Sequence, residues 1–467
     1  MLRAFFLFTC LLYVAMPLLA QPKPTEAQQS WHRLEYYWFA HFGPNTFTGA
    51  EWGTGKEKAE IFQPDSFDPR QWCRLAQQAG ARGIIITAKH HDGFCLWPSR
   101  YSTHTIRESG WRNGKGDVLK ELSQACQEYG LKFGVYLSPW DRNHPDYGTA
   151  AYNQVFANML REVLTQYGSV WELWWDGANG EGPNGKKQVY DWDLFRKTVR
   201  ELSPQTVVFS DVGPDIRWVG NEKGIAGETN WNTLNIDGFT AGEGAPPTDT
   251  LNRGNVNGAN WIPAECDVSI RPGWIWRRSE DSLVKSPQTL FDLYLKSVGR
   301  GANLLLNVPP NDHGLISAAD SISLVGFAAL RANQFNHELI RQENGSFSRV
   351  NGYVSSPVQE WMDSNATNCA ELLPGSRGSI RIDFDHTVMV NALVLEEELS
   401  GGQHCARFEV ELIGTHGFPY PRIEGTTIGN KRIITFPAKK IREIRLRILK
   451  GTGPVRIRKP SVYRFKD

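Results

Sequence analysis

The stretch DPRQWCRLAQQAGARGIIIT, residues 68–87, decides the fold. Asp68 is a helix N-cap type and Pro69 suits the first helical turn, where its missing N–H costs nothing. Trp72, Leu75, Ala76 and Ala79 then recur at the spacing of one helical face. Gly80 stops the helix, and Ile84-Ile85-Ile86-Thr87 follows as a β-branched strand. The grammar repeats in DVLKELSQACQEYGLKFGVYL, residues 117–137. Asp117 caps, Val118, Leu122, Cys126 and Tyr129 form a face, Gly130 stops it, and Phe133–Leu137 reads as a strand.

Working outward, a helix near 151–166 leads to strand Val170–Trp175, and a helix near 191–202 leads to strand Thr206–Ser210. Strand-like Asn260–Cys266, a helix over 287–298 and strand Asn303–Val308 follow. Helix–strand alternation over some 300 residues predicts an α/β catalytic domain spanning 21–340. No glycine-rich phosphate loop follows any strand, which withdraws support from nucleotide-binding folds. The strands run instead into chemically loaded residues: His41, His90-His91-Asp92, Asp176, Asp211 and Glu265. Functional groups at strand C-termini are the mark of a (β/α)8-like barrel, with a doubly wound sheet as the alternative. Beyond residue 340 the period changes from helical to alternating. Ser379–Phe384, Phe408–Leu412 and Arg442–Leu446 read as half-buried antiparallel strands, so 345–467 is expected to be a β-sandwich.

Composition bounds the function. Hydrophobic residues make up 40% and charged residues 22%, as in a globular chain, and the net charge of +1 lacks the basic excess of a nucleic-acid binder. The 17 Trp and 14 Tyr suit sugar faces as well as cores. Residues 1–20 place Arg3 ahead of an apolar run ending in Leu18-Leu19-Ala20, the pattern of a cleaved secretory signal. The expectation is an exported protein, periplasmic or extracellular, with no membrane attachment after cleavage. Cys73, Cys95, Cys126, Cys266, Cys369 and Cys405 are widely spaced, and no CxxC supports a zinc or redox motif. Cys73 and Cys126 fall on core faces of helices.

Trp174-Trp175-Asp176-Gly177 closes an apolar strand. Trp174 and Asp176 share a face there, so Asp176 reads either as a nucleophile beside a ring-stacking Trp or as a loop cap. His90 and His91 can orient sugar hydroxyls. With His41 and Asp92 they could also ligate metal, although no HxH or HExxH spacing supports that.

Taken together, His41-Phe42-Gly43, Ala88–Phe94, Gly134-Val135-Tyr136, Leu173–Gly177 and Asn303–Val308 resemble glycoside hydrolase family 29, the α-L-fucosidases. The resemblance implies a (β/α)8-like barrel, a C-terminal β-sandwich, no cofactor or metal, and double displacement with retention on a fucosylated oligosaccharide or glycoconjugate. It assigns the nucleophile to Asp176. The residues it implies to hold fucose are His41, His90, His91, Tyr136 and Trp174, with a further carboxylate at Glu51 and an arginine at Arg217. Residues 210–222 resemble the branch acting on α-1,3/1,4 linkages, which puts the acid/base at Glu222, with Glu228 as the alternative and Glu265 or Asp267 as lesser candidates. Arg271 and Trp274, in an aromatic-rich segment, are candidates for the acceptor side. Two other readings stay open: another retaining barrel glycosidase, of α-galactosidase or β-xylosidase type, or an inactive carbohydrate-binding barrel.

Overall fold

A computed structural model describes residues 21–342, 346–350, 369–375 and 378–466. The signal pattern at 1–20 lies outside the described residues.

Eight strands make the barrel: β1 (Tyr36–Ala40), β2 (Gly83–Lys89), β3 (Lys132–Leu137), β4 (Val170–Trp174), β5 (Val207–Ser210), β6 (Ile216–Trp218), β7 (Ala264–Ser269) and β8 (Asn303–Asn307). They close in chain order, with every neighbouring pair parallel and β8 returning to β1. The closed ring excludes the doubly wound alternative. The opening stretch forms as its residues dictate. Asp68 accepts a hydrogen bond from Arg70 N, the helix runs Pro69–Gln78, and Gly80 takes a left-handed φ of +72° that a β-carbon would disfavour. Asp117 caps Val118–Glu128 in the same way, and Gly130 ends it at φ +67°. Further helices cover the barrel at Ala150–Gln166, Trp192–Leu202, Pro287–Lys296 and Ala318–Phe335.

Strand alternation builds the two cores. Tyr36, Trp38, Ile84 and Ile86 pack outward against the helices. Tyr37, Phe39, Ile85, Tyr136, Trp174, Phe209 and Leu305 fill the interior, joined by Trp31 from the helix Glu26–His32 that precedes β1. Each such ring contributes about 1.5–3 kcal/mol by burial.

Two features depart from the expected grammar. Only residues 211–215 separate β5 from β6, and no helix intervenes. The turn is held because Val208 N donates to Asp215 Oδ2 at 2.7 Å, while Asp215 N returns to Val208 O at 3.1 Å. A three-residue strand without its own helix carries no periodic signal. The expected strand Asn260–Cys266 is also divided. Asn260–Trp261 pairs with Thr233–Leu234 in a separate ribbon, and the barrel strand begins at Ala264.

The C-terminal part is antiparallel. Strands β9 (Ile380–Leu395), β10 (Cys405–Gly414) and β11 (Arg432–Gly451) lie in the order β9-β11-β10, with Ser346–Val350 and Ile423–Gly425 at the edges. Ala370–Leu372 pairs with Val455–Ile457 in a second sheet. Ile380, Ile382, Phe408, Val410 and Leu412 face the sandwich core, as their alternation predicts. Glu409 and Glu411 face outward to Arg447 at 3.2 Å and Arg445 at 3.3 Å.

Candidate active site

The C-terminal rim of the barrel encloses a cavity of about 240 Å³, the size class of one sugar ring and a few waters. A larger cavity of about 590 Å³ lies at the other end, between barrel and sandwich. Its Glu35 and Glu396 are paired with Lys431, and it contains none of the chemically loaded strand ends.

In the rim cavity, Asp176 lies two residues beyond the end of β4. Its Oδ1 accepts Ala178 N at 2.8 Å, and its Oδ2 accepts the Tyr136 hydroxyl of β3 at 3.0 Å. The side chain keeps 26% exposure, so the carboxylate is fixed yet reachable. Trp174, two residues earlier on the same face, stacks on Phe209 with ring centroids 3.9 Å apart and on Tyr136 at 5.5 Å. Its indole N–H donates to Glu265 Oε1 at 2.8 Å. Glu265 also accepts the Tyr37 hydroxyl, and Glu172, which accepts Trp31 Nε1 at 3.0 Å, lies beside it. Burial raises both carboxyls above the usual range, and the charge of Glu265 raises Glu172 further.

Three histidines line the same cavity. Burial lowers His41 and His91 to about 4 each, and lowers His90 further with the help of its histidine neighbours. All three are neutral near pH 7, so each ring offers one donor and one acceptor. The surroundings choose the tautomer. Asn307 Nδ2 donates to Ser269 Oγ at 2.9 Å and to Trp274 O at 2.8 Å, which turns its Oδ1 towards His41 Nδ1 at 2.9 Å. The His41 proton therefore sits on Nδ1, and Nε2 is the acceptor. Ser138 Oγ donates to Trp140 O at 2.8 Å and so accepts from His91 Nδ1, also at 2.8 Å. His91 Nε2 is left as an acceptor, 3.7 Å from Asp176 Oδ2. A substrate hydroxyl can donate to each of these nitrogens.

The remaining wall comes from loops after β1, β6 and β7. Glu51 accepts Trp274 N at 3.1 Å and pairs with Arg277 at 2.7 Å, locking the loop after β1 to the loop after β7. Glu222 lies within reach of the Trp274 indole N–H at 3.4 Å. Asp267, on β7, also lines the cavity and accepts Trp218 Nε1 at 2.9 Å. Trp52 packs edge-on to His91 and Trp140 at the mouth. Among the described residues, no group of three or more His, Cys, Asp or Glu is arranged to hold a metal ion, and no helix is long and apolar enough to cross a membrane.

The cavity thus brings together His41, Glu51, His90, His91, Tyr136, Trp174, Asp176, Glu222 and Trp274. Three expected site residues lie elsewhere. Arg217 is fully buried and faces away, because Ile216 and Trp218 take the inward positions of β6. Its guanidinium donates to Leu251 O at 2.8 Å, Trp231 O at 2.9 Å, Asn230 Oδ1 at 3.1 Å and Ile262 O, stitching the long excursion between β6 and β7. Arg271 is fully buried too, held by Asp320 at 3.0 Å, Asp281 at 2.8 Å and Ser317 at 2.8 Å. Glu228 is 77% exposed beside Arg300, where its backbone oxygen meets Arg432 of the sandwich. Phe39 is a wall residue that sequence reasoning missed, since it reads as one more apolar position in β1.

The family model described as alpha-L-fucosidase matches residues 21–329. Alpha-L-fucosidase 1 of Arabidopsis thaliana is 41% identical over 89% of this chain and 82% of its own length. The chain belongs to the α-L-fucosidase family. Among solved structures, the crystal structure of a putative alpha-L-fucosidase from Bacteroides ovatus is 40% identical. It covers 95% of this chain and 74% of its own, with a TM-score of 0.82. A Ruminococcus gnavus GH29 fucosidase in complex with fucose is 29% identical, covering 96% of each chain with a TM-score of 0.86. Membership makes this chain a glycoside hydrolase, and the strand-end groups gathered in the rim cavity are the machinery available for that chemistry.

Proposed function

We propose that this hydrolase is a retaining exo-α-L-fucosidase that releases terminal fucose from α-1,3- or α-1,4-linked positions on branched glycans. The observation that carries the reading is one sugar-sized cavity holding a fixed, accessible Asp176 and, on another wall, Glu222. Asp176 attacks the anomeric carbon while Glu222 protonates the departing glycosidic oxygen. Glu222, now a carboxylate, deprotonates a water that attacks the fucosyl–Asp176 ester, and C1 keeps its original configuration after two inversions. His41 and His91 accept hydrogen bonds from ring hydroxyls. The rings of Phe39 and Trp174 offer an apolar surface for the 6-methyl group that distinguishes fucose from hydroxylated hexoses. Rejection of a 6-hydroxyl by such a surface is modest.

The bound fucose in the Ruminococcus gnavus relative supports the sugar, and the likeness of residues 210–222 to the α-1,3/1,4-specific branch supports the linkage. Export rests on the pattern of residues 1–20. The test compares kcat/KM on a Lewis-type trisaccharide, an α-1,2-fucosyl disaccharide and aryl glycosides of fucose, galactose and xylose. Preference for the branched trisaccharide is expected. Equal rates on all fucosides would reject the linkage assignment, and turnover confined to galactosides or xylosides would reject the fucosidase.

A further inference from the structure

The cavity wall carries four carboxyl groups, and three are accounted for: Asp176, Glu222, and Glu51 with its Arg277 partner. The fourth is Asp267. We propose that Asp267 is a substrate-contacting residue on the leaving-group side, with one carboxyl oxygen clamped by Trp218 and the other hydrogen-bonding the acceptor sugar next to the scissile oxygen. This rests on the placement of the acid/base at Glu222.

The placement follows from the pleat of β7. Glu265, Asp267 and Ser269 point to the same face. Glu265 holds Trp174 beneath the floor, and Ser269 Oγ donates to Gly273 O at 2.7 Å at the rim. Asp267, between them, opens into the cavity. Its residue exposure is 4%, and its Oδ1 accepts the indole N–H of Trp218 at 2.9 Å. Trp218 can only donate, so it fixes one oxygen as an acceptor and leaves the second to the cavity. No cation is paired with this side chain among the ion pairs of the described residues. An uncompensated buried carboxylate is costly, whereas a neutral carboxylic acid can donate its O–H. Burial pushes the Asp267 carboxyl well above the usual carboxylate range. In its protonated form it presents a hydroxyl-like donor to the cavity. A neutral buried acid used as a donor beside a reacting oxygen is chemically sound, because the donor costs no reorganisation when charge develops. Its neighbour sets the side. Trp218 and Glu222 belong to β6 and the loop that follows it, so Asp267 works where the aglycone departs rather than around the fucose ring, whose hydroxyls meet the histidines.

The experiment compares Asp267→Ala and Asp267→Asn with the unsubstituted enzyme on a fucosylated trisaccharide and on a dinitrophenyl fucoside. The aryl group makes no acceptor-sugar contact and needs no proton to leave. Asp267→Ala should lose at least about 100-fold in kcat/KM on the trisaccharide but less than about 10-fold on the aryl fucoside. Asp267→Asn keeps a planar neutral group with a donor and should recover most of the loss. A purely structural role would lower both substrates together. Equal losses on the two substrates, no loss in Asp267→Ala, or an Asn variant no better than Ala would each overturn the proposal. An unsubstituted enzyme inactive on both fucosides would instead overturn the fucosidase reading, and this inference with it.

Discussion

Asn307→Asp exchanges a single heavy atom and tests how the histidine wall works. In the native cavity, Asn307 Oδ1 receives the His41 Nδ1 proton at 2.9 Å, and the ring is neutral because burial lowers it to about 4. A carboxylate in place of the amide favours the imidazolium by roughly 1–3 pKa units, carrying His41 to between about 5 and 7. The sign is fixed. A raised histidine pKa means that the neutral, accepting form is lost as pH falls through the new value. With His41 near 6, roughly 90% of the ring is protonated at pH 5, and Nε2 can no longer accept a substrate hydroxyl. The variant also loses the amide donors to Ser269 and Trp274, a cost on the order of 1–3 kcal/mol that does not depend on His41. The expected profile is lower at every pH, with a further drop of about ten-fold in kcat/KM between pH 8 and pH 5 that the native enzyme lacks. The assay is kcat/KM on a fucoside across pH 4–9, with circular dichroism to confirm folding. A folded variant whose profile parallels the native one would refute the claim that a neutral His41 accepts from substrate.

Other outcomes follow from the placement of the remaining groups. Glu222→Gln should lose roughly 10²–10⁴-fold on an oligosaccharide, whereas Glu228→Gln, at an exposed position, should stay within about two-fold of native activity. Arg271→Ala removes one half of a fully buried ion pair and should cost about 3–5 kcal/mol in chemical denaturation, while KM of the surviving folded enzyme changes little. Dialysis against a chelator should leave kcat unchanged, and a loss restored by one divalent ion would contradict the carboxylate mechanism.

The catalytic barrel was legible in the sequence wherever a helix carried its own caps and stops. Asp68, Gly80, Asp117 and Gly130 are local signals, and the helices between them formed where the periodicity put them. Strand ends rich in His and Asp then disclosed the rim, because apolar strands have no other reason to finish in such groups. Legibility failed where tertiary contacts override local pattern. β6 is three residues long, and its neighbours in the ring, not its propensity, make it a strand. The family resemblance placed Arg217 in the site, but the pleat of β6 turns it to the outside, which cannot be read without the strand. Arg271 follows β7 in the same way, and only the fold shows Asp320 and Asp281 waiting for it. Of two nearby glutamate segments, only resemblance ranked Glu222 above Glu228 in the sequence. They differ because one loop closes over the cavity while the other meets the sandwich.

The central claim is that Asp176 forms a covalent bond to the sugar, and trapping tests it most directly. The enzyme would be incubated with 2-deoxy-2-fluoro-fucosyl fluoride, whose electron-poor ring slows release of the ester, then digested and analysed by tandem mass spectrometry. A fluorofucosyl adduct on Asp176, with turnover stalled in proportion to labelling, is the predicted result. An adduct on another carboxylate, or no adduct with product formed at C1 by inversion, would contradict the account.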